Sequence, residues 1–280
     1  MQKIALIGGD SRQIHAAATL EKAGLTPFVY GNDGAANAGF TAPYTIKETL
    51  EGAKAVILPV PSVKKKGQIN APHSETEIPL PTVWQHLAPS TTVFLYGREN
   101  CKPPAQIHAL DLAEDENLLE ENAAITAEAA LALAIESSGR VLRGAQCSVV
   151  GYGRIGKALS RLACAWGAKV TVVARQGSNC NLAQKSGFSV RDPQGSALFA
   201  GADLIFNTVP APILTEKSFE NTLPTALYLE LASQPGGIAP LATIPIQRIH
   251  APGLPGKYCP KSAGIAIGKC VLEHLGVKTW

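Results

Sequence analysis

The chain has 280 residues, 46% of them hydrophobic and 17% charged, enough to build ordinary buried cores in one large or two modest domains. Its 25 basic and 22 acidic residues leave a formal net charge of +3, so no single-sign field points to nucleic acid or an anionic membrane. No segment approaches the ~18 apolar residues of a membrane span, and the run Ile4 to Ile7 is too short for a signal-peptide core, which reads as a cytoplasmic protein.

The first predicted elements lie in "KIALIGGDSRQIHAA", a short apolar strand running through a glycine turn into a helix. Gly8-Gly9-Asp10-Ser11-Arg12-Gln13 lacks the spaced glycines that let a backbone close on a pyrophosphate, and offers a carboxylate, a guanidinium and an amide instead. "GAKAVILPVP" (52 to 61) and "PSTTVFLYG" (89 to 97) supply further apolar strands. Between them Lys64-Lys65-Lys66 reads as a solvated loop. "EENAAITAEAALALAIESSGR" then reads as a connecting helix, opening at Thr126 with Glu128 just downstream and stopping at Gly139.

The second half repeats the first. "CSVVGYGRIGKALSRLACAWGAKVTVVAR" has the order of "IALIGGDSRQIHAAATLEKAGLTPFVYG", and Gly8 to Gly24 and Gly151 to Gly167 each span 16 positions. "GADLIFNTVP" (201 to 210) and "PTALYLELA" (224 to 232) mirror the later strands. Strands alternating with helical patterns imply crossover units and a parallel sheet. The expected fold is therefore α/β, two Rossmann-like doubly wound parallel-sheet domains with an interdomain cleft. Residues 1–121 form the substrate domain, joined by a C-terminal helix over 262–280, and residues 122–261 form the cofactor domain with the connecting helix. The apolar spacing of Ile265, Ile267, Val271, Leu272 and Leu275 predicts that last helix.

Only the second copy carries the dinucleotide fingerprint, Gly151-Tyr152-Gly153-Arg154-Ile155-Gly156, after a strand and at the start of an Ala-rich helix. Gly151 permits the tight turn, Gly153 lets the backbone approach the pyrophosphate, and Gly156 allows close packing, while the helix N-terminus offers N–H groups. At the end of the next strand, where NAD enzymes generally place an acid, stand Arg175 and then Ser178, which favours NADP through a guanidinium paired with the 2'-phosphate. Asn207-Thr208-Val209-Pro210 is expected near the nicotinamide ribose, because ligands bind beyond the carboxyl ends of parallel strands. The six cysteines and six histidines show no zinc or triad spacing, so incidental thiols and no metal are expected.

The segments "IGGDSRQ", "ILPVP", "NAAITAEAALALAIE", "FNTVPAPIL", "LELASQPGG" and "APGLPGKYCPKSAG" occur in an order that resembles the dipicolinate synthase A-subunit family over almost the whole chain. GGDxRQ, APGLPG and PKSAG together are far more specific than the glycine fingerprint. The resemblance implies an NADP-dependent oxidation of dihydrodipicolinate, formed from 4-hydroxy-tetrahydrodipicolinate, to dipicolinate in the mother cell of a sporulating bacterium. An oligomer is expected, and the resemblance implies a flavoprotein-like B subunit that partners this chain. The chain departs from the family's usual Asp-Leu-Ala-Ser-Arg-Pro-Gly-Gly by placing Glu230 for the acid and Gln234 for the arginine.

A dicarboxylate ring needs cationic or N–H partners, and the candidates are Arg12, Gln13, Ser233, Lys261 and Ser262. Asp10 joins them as a substrate-binding candidate that could also accept the proton or cap the helix, and no catalytic residue is assigned. The rival readings are another NAD(P)-dependent dehydrogenase of the 2-hydroxyacid or alanine dehydrogenase type, and a non-catalytic NADP-binding partner subunit. Gln234 counts against the 2-hydroxyacid type, which generally places an arginine against the substrate acid.

Overall fold

The strand Lys3–Ile7 (β1) is apolar after its first residue, and Ile4, Ala5, Leu6 and Ile7 are fully buried, as the centre of a sheet covered on both faces requires. The computed structural model describes residues 2–64, 67–240, 242, 244 and 246–277. Lys64 is exposed, while Lys65 and Lys66 of the basic loop lie outside the described residues. The chain divides into two compact units, residues 1–122 with 259–280, and residues 123–258.

In the first unit β1 leads into helix α1 (Ser11–Lys22) and strand β2 (Thr26–Tyr30). Short helices α2 (Gly34–Asn37) and α3 (Ile46–Leu50) precede β3 (Ala55–Ile57), and α4 (Leu80–Gln85) precedes β4 (Thr92–Leu95) and β5 (Ala109–Asp111). A reciprocal Thr45–Glu48 capping box starts α3. The sheet is parallel in the order β2-β1-β3-β4-β5. Its order reverses between β1 and β3, the place where such sheets hold ligands at the carboxyl ends of their strands.

Helix α5 (Glu116–Ser138) begins ten residues earlier than Thr126. Asp115 starts it, its Oδ1 accepting the Leu118 N–H at 2.8 Å, whereas Thr126 is buried in mid-helix. Alanine-rich sequence gives no polar face to mark where the helix begins, and the capping acid lies outside the stretch that looked helical. Gly139 does end it, at φ +64, with its N–H on the Ile135 carbonyl at 2.9 Å.

The second unit follows as β6 (Gln146–Val150), α6 (Arg154–Ala165), β7 (Lys169–Val173), α7 (Ser178–Lys185), β8 (Ser189–Arg191), β9 (Leu204–Asn207), β10 (Leu227–Glu230), β11 (Gln247–His250) and the short helix α8 (Leu254–Tyr258). All its strands pair in parallel, in the order β11-β10-β9-β6-β7-β8, and the reversal falls between β6 and β9. Both sheets are therefore Rossmann-like, and the α/β expectation holds.

Helix α9 (Pro260–His274) returns to the first unit and packs along α1. Two glycines allow the approach. A Cβ on Gly264 would lie 2.4 Å from the Arg12 carbonyl oxygen and 2.5 Å from His15 Cβ, and one on Gly268 would lie 2.7 Å from Thr19 Cβ. Residues of both helices thus advance together, so α1 and α9 run parallel and start at the same end. No helix of the described residues is long and apolar enough to cross a membrane.

Candidate dinucleotide site and its unequal twin

In the second unit, Gly151 leaves β6 at φ +93, a conformation that favours glycine. A Cβ there would lie 2.6 Å from Thr208 Oγ1 and 2.7 Å from Val209 Cγ2, so the turn is also too crowded for a side chain. Gly156 is tighter still, since a Cβ would lie 2.2 Å from the Gly151 carbonyl oxygen. Gly153 differs from both. It is exposed, precedes the first residue of α6, and a Cβ on it would meet nothing within 4 Å. The first turn of α6, with exposed Arg154 and half-buried Ile155, presents the N–H groups of a helix start and its positive dipole end beside that space. An open backbone face at a helix N-terminus is what a pyrophosphate needs, and the residues present fit one.

The end of β7 adds a cation. Val173 and Ala174 are buried, Arg175 is exposed, and its guanidinium makes no hydrogen bond or ion pair among the described residues. Gly177, at φ +133, turns the chain into α7, whose first residue is the exposed Ser178.

Across the strand reversal, Thr208 Oγ1 donates to the Val150 carbonyl at 2.8 Å and ties the end of β9 to the glycine turn. Val209 is half-buried and Pro210 exposed. The side chain of Asn207 is turned inward. It is fully buried, and its Nδ2 donates to the Val209 carbonyl at 2.9 Å and to Glu230 Oε1 at 2.6 Å. Its amide is spent on holding the turn over 207–210.

Glu230, at the end of β10, is the hub of this arrangement. Besides Asn207 it accepts from the Ala232 N–H at 3.2 Å, the Gly237 N–H at 2.8 Å and the Tyr228 hydroxyl at 2.9 Å. Burial, then the charge and hydrogen bond of Glu230, push the Tyr228 hydroxyl above the ordinary tyrosine range, so it stays protonated and donates. The loop wraps closely, and a Cβ on Gly237 would lie 2.4 Å from Asn207 Nδ2. Ser233 is exposed on the same loop. A cavity of about 550 Å3 adjoins the network, lined in part by Tyr228, Glu230, Pro235, Arg248 and His250.

The first unit builds the same turn with different side chains. The Gly8 N–H donates to the Tyr30 carbonyl at 2.8 Å as the Gly151 N–H donates to that of Val173 at 2.9 Å. Continuing at that offset, Asp10 stands where the second unit has Gly153, and Gln13 where it has Gly156. Asp10 caps α1 by accepting the Arg12 N–H at 3.0 Å, and pairs with the Arg12 guanidinium through Nε and Nη2, both at 2.9 Å. Nη2 also donates to the Val60 carbonyl, beyond β3, and Nη1 makes no hydrogen bond among the described residues. A carboxylate thus fills the place kept open in the other unit, and would repel a phosphate.

Burial alone would push the Asp10 carboxyl up. The hydrogen bonds and charge of Arg12, its backbone N–H and the charge of His73 together outweigh burial and hold Asp10 below its ordinary value of 3.8. Asp10 thus serves as the cap of α1 and as the ion-pair partner of Arg12. Being depressed in the fold, it contributes stability that is present above the ordinary aspartate range and lost as the pH falls through its lowered value. Gln13 is also turned inward, buried, with Nε2 donating to the Ile57 carbonyl at 3.2 Å. Its amide belongs to the packing of the turn. Lys261 and Ser262 are exposed on the first turn of α9, at the same end of the first unit as Asp10 and Arg12 because α1 and α9 run parallel.

The sequence of the first unit matches the N-terminal domain of the dipicolinate synthase A-subunit over residues 3–102. Residues 108–227 match the NAD-binding domain of D-isomer-specific 2-hydroxyacid dehydrogenases. The dipicolinate synthase A-subunit of Bacillus subtilis (strain 168) is 30% identical over 275 residues, covering 94% of this chain and 92% of the relative. The crystal structure of the A chain of dipicolinate synthase from Bacillus subtilis superposes with a TM-score of 0.82 at 27% identity, covering 98% of this chain and 96% of that one. That of the A-subunit from Bacillus halodurans superposes with a TM-score of 0.82 at 23% identity, covering 98% and 97%. Likeness of sequence along nearly the whole length, with an N-terminal domain particular to these proteins and a dehydrogenase-type NAD-binding domain after it, gives the conclusion: the chain belongs to the dipicolinate synthase A-subunit family.

Proposed function

We propose that this chain oxidises dihydrodipicolinate, formed from 4-hydroxy-tetrahydrodipicolinate, to dipicolinate in a sporulating bacterium, using NADP and working with a flavoprotein-like B subunit. The observation that carries the reading is the contrast between the two turns. One is open at Gly153 beside a helix N-terminus, and the other is filled by Asp10, Arg12 and Gln13. The second unit therefore takes the dinucleotide and the first takes a small anion. Bound NADP supplies the hydride acceptor. Oxidation removes one hydride and one proton from the ring, and gain of aromaticity drives it, so the chain's task is chiefly to hold and orient. Arg12 Nη1, Lys261 and Ser262 hold carboxylate of the substrate.

The test supplies the purified chain with NADP and freshly formed dihydrodipicolinate, with the flavoprotein partner or without it, and follows NADPH and dipicolinate together. Equal amounts of both are expected. Absence of NADPH formation in either mixture overturns the reading and leaves a dinucleotide-binding protein without this activity.

Cofactor choice rests on Arg175. Arg175→Asp replaces attraction for the 2'-phosphate by repulsion and is expected to weaken NADP by about 1.5–3 kcal/mol, with NAD affected far less. Calorimetry with both cofactors decides it, since an equal loss for the two would show that Arg175 does not meet the phosphate. Arg12→Ala is expected to cost about 1.5 kcal/mol or more in kcat/KM while NADP affinity stays at the wild-type level. Full activity of that variant with the flavoprotein partner present would assign the turn a purely structural role.

A further inference from the structure

Asp115, Cys270 and His274 converge in a part of the first unit that the proposed oxidation does not use. Cys270 and His274 are four residues apart on α9 and so share a face, and Asp115 directly precedes α5. His274 Nε2 lies 3.0 Å from Asp115 Oδ2, and the Cys270 thiol hydrogen-bonds to the same carboxyl group. One donor atom from each residue lies within 4.8 Å of the other two.

Capping of α5 accounts for Asp115 Oδ1, but not for a sulfur and an imidazole nitrogen gathered on the same carboxylate. Thiolate, imidazole and carboxylate together are a zinc donor set. Bonds of about 2.0–2.3 Å place such donors roughly 3.3–3.8 Å apart around a tetrahedral ion, so the cluster has to adjust only by side-chain movement. The local field also favours a cation, since the carboxylates of Asp115 and Glu273 face Cys270 and the carbonyl end of α9 lies at His274. The His274 side chain is 38% exposed, which leaves a path for the ion and for a water ligand.

We propose that Asp115, Cys270 and His274 bind one Zn2+ through a carboxylate oxygen, Sγ and Nε2, with water as the fourth ligand, and that the ion fastens the end of α9 to the start of α5. Burial first, then the charge and hydrogen bond of Asp115 and the charge of Glu273, push the Cys270 thiol up to about 12, so it holds its proton without metal. Binding releases that proton as the Zn–S bond forms, and no oxidation state changes.

The test uses untagged, chelator-stripped full-length protein. Titration with Co2+ should give a thiolate-to-cobalt charge-transfer band that saturates at one equivalent and is lost on adding Zn2+. Cys270→Ser should abolish the band and His274→Ala should weaken or abolish it. Zn2+ at about a hundredfold above its Kd should raise the Tm of the wild type by roughly 5–10 °C, and that of Cys270→Ser far less. Absence of the band in the wild type overturns the proposal whether or not the variants fold. A band or Tm shift that survives both substitutions also overturns it, by placing the metal on other groups.

Discussion

Gly153→Val should abolish binding of the dinucleotide while leaving the fold almost intact. Most glycine substitutions confound these two effects, because the glycine is needed for its backbone angle or for lack of space. At Gly151 both reasons apply, and at Gly156 the clash is with backbone 2.2 Å away. Gly153 has φ −75 and open space on its side-chain face, so nothing in the chain itself resists a valine. What resists it is the pyrophosphate, whose place the isopropyl group would take. Replacing glycine before the first helical residue costs only about 1 kcal/mol of helix capping. The expected result is a Tm within a few degrees of wild type and no cofactor binding by calorimetry. Retained affinity would remove the glycine turn from the site.

Glu230→Ala should be among the most destabilising single substitutions in the second unit. It removes the acceptor shared by Asn207, Tyr228, Ala232 and Gly237, all at the core side of the β10 loop. Each buried donor left without a partner costs about 1–3 kcal/mol, and water entering from the adjoining cavity recovers part of that, so a loss of about 4 kcal/mol is expected. Glu230→Gln should also be harmful, because its amide group places a donor against donors. Thermal unfolding followed in the second unit checks this, and a Tm unchanged by Glu230→Ala would show that the network contributes little. Loss of Glu230 also frees Asn207 and with it the turn over 207–210, so weakened cofactor binding should accompany the loss of stability.

The glycine turn was legible in the sequence because its requirements are local: a strand, spaced glycines, a helix and a second strand at fixed distance. The duplication was legible for the same reason. The directions of Gln13 and Asn207 were not, since an amide beside a glycine turn is equally suited to a ligand and to a neighbouring carbonyl, and only the packing of β3 and β10 decides. Glu230 looked like a departure in a substrate loop, yet it is an internal acceptor whose donors come from as far apart in sequence as Asn207 and Gly237. The edge strands β5, β8 and β11 are short and mostly exposed or half-buried, so they carry little of the apolar signal that marks β1 or β6. Cys270 and His274 do show a Cys-x-x-x-His spacing, but their partner Asp115 lies in a different part of the chain.

The return of α9 to the first unit sets an order of events during synthesis. A ribosome delivers β1 to β5 long before it delivers Gly264 and Gly268, so the face of α1 that those glycines press against stays uncovered while the whole second unit is made. Domains ordinarily fold as they emerge, N-terminal first. Here the first-made unit has its whole sheet early but is finished last, because α9 follows the second unit in the chain. During that interval, chaperones and proteases meet an α1 without its partner helix.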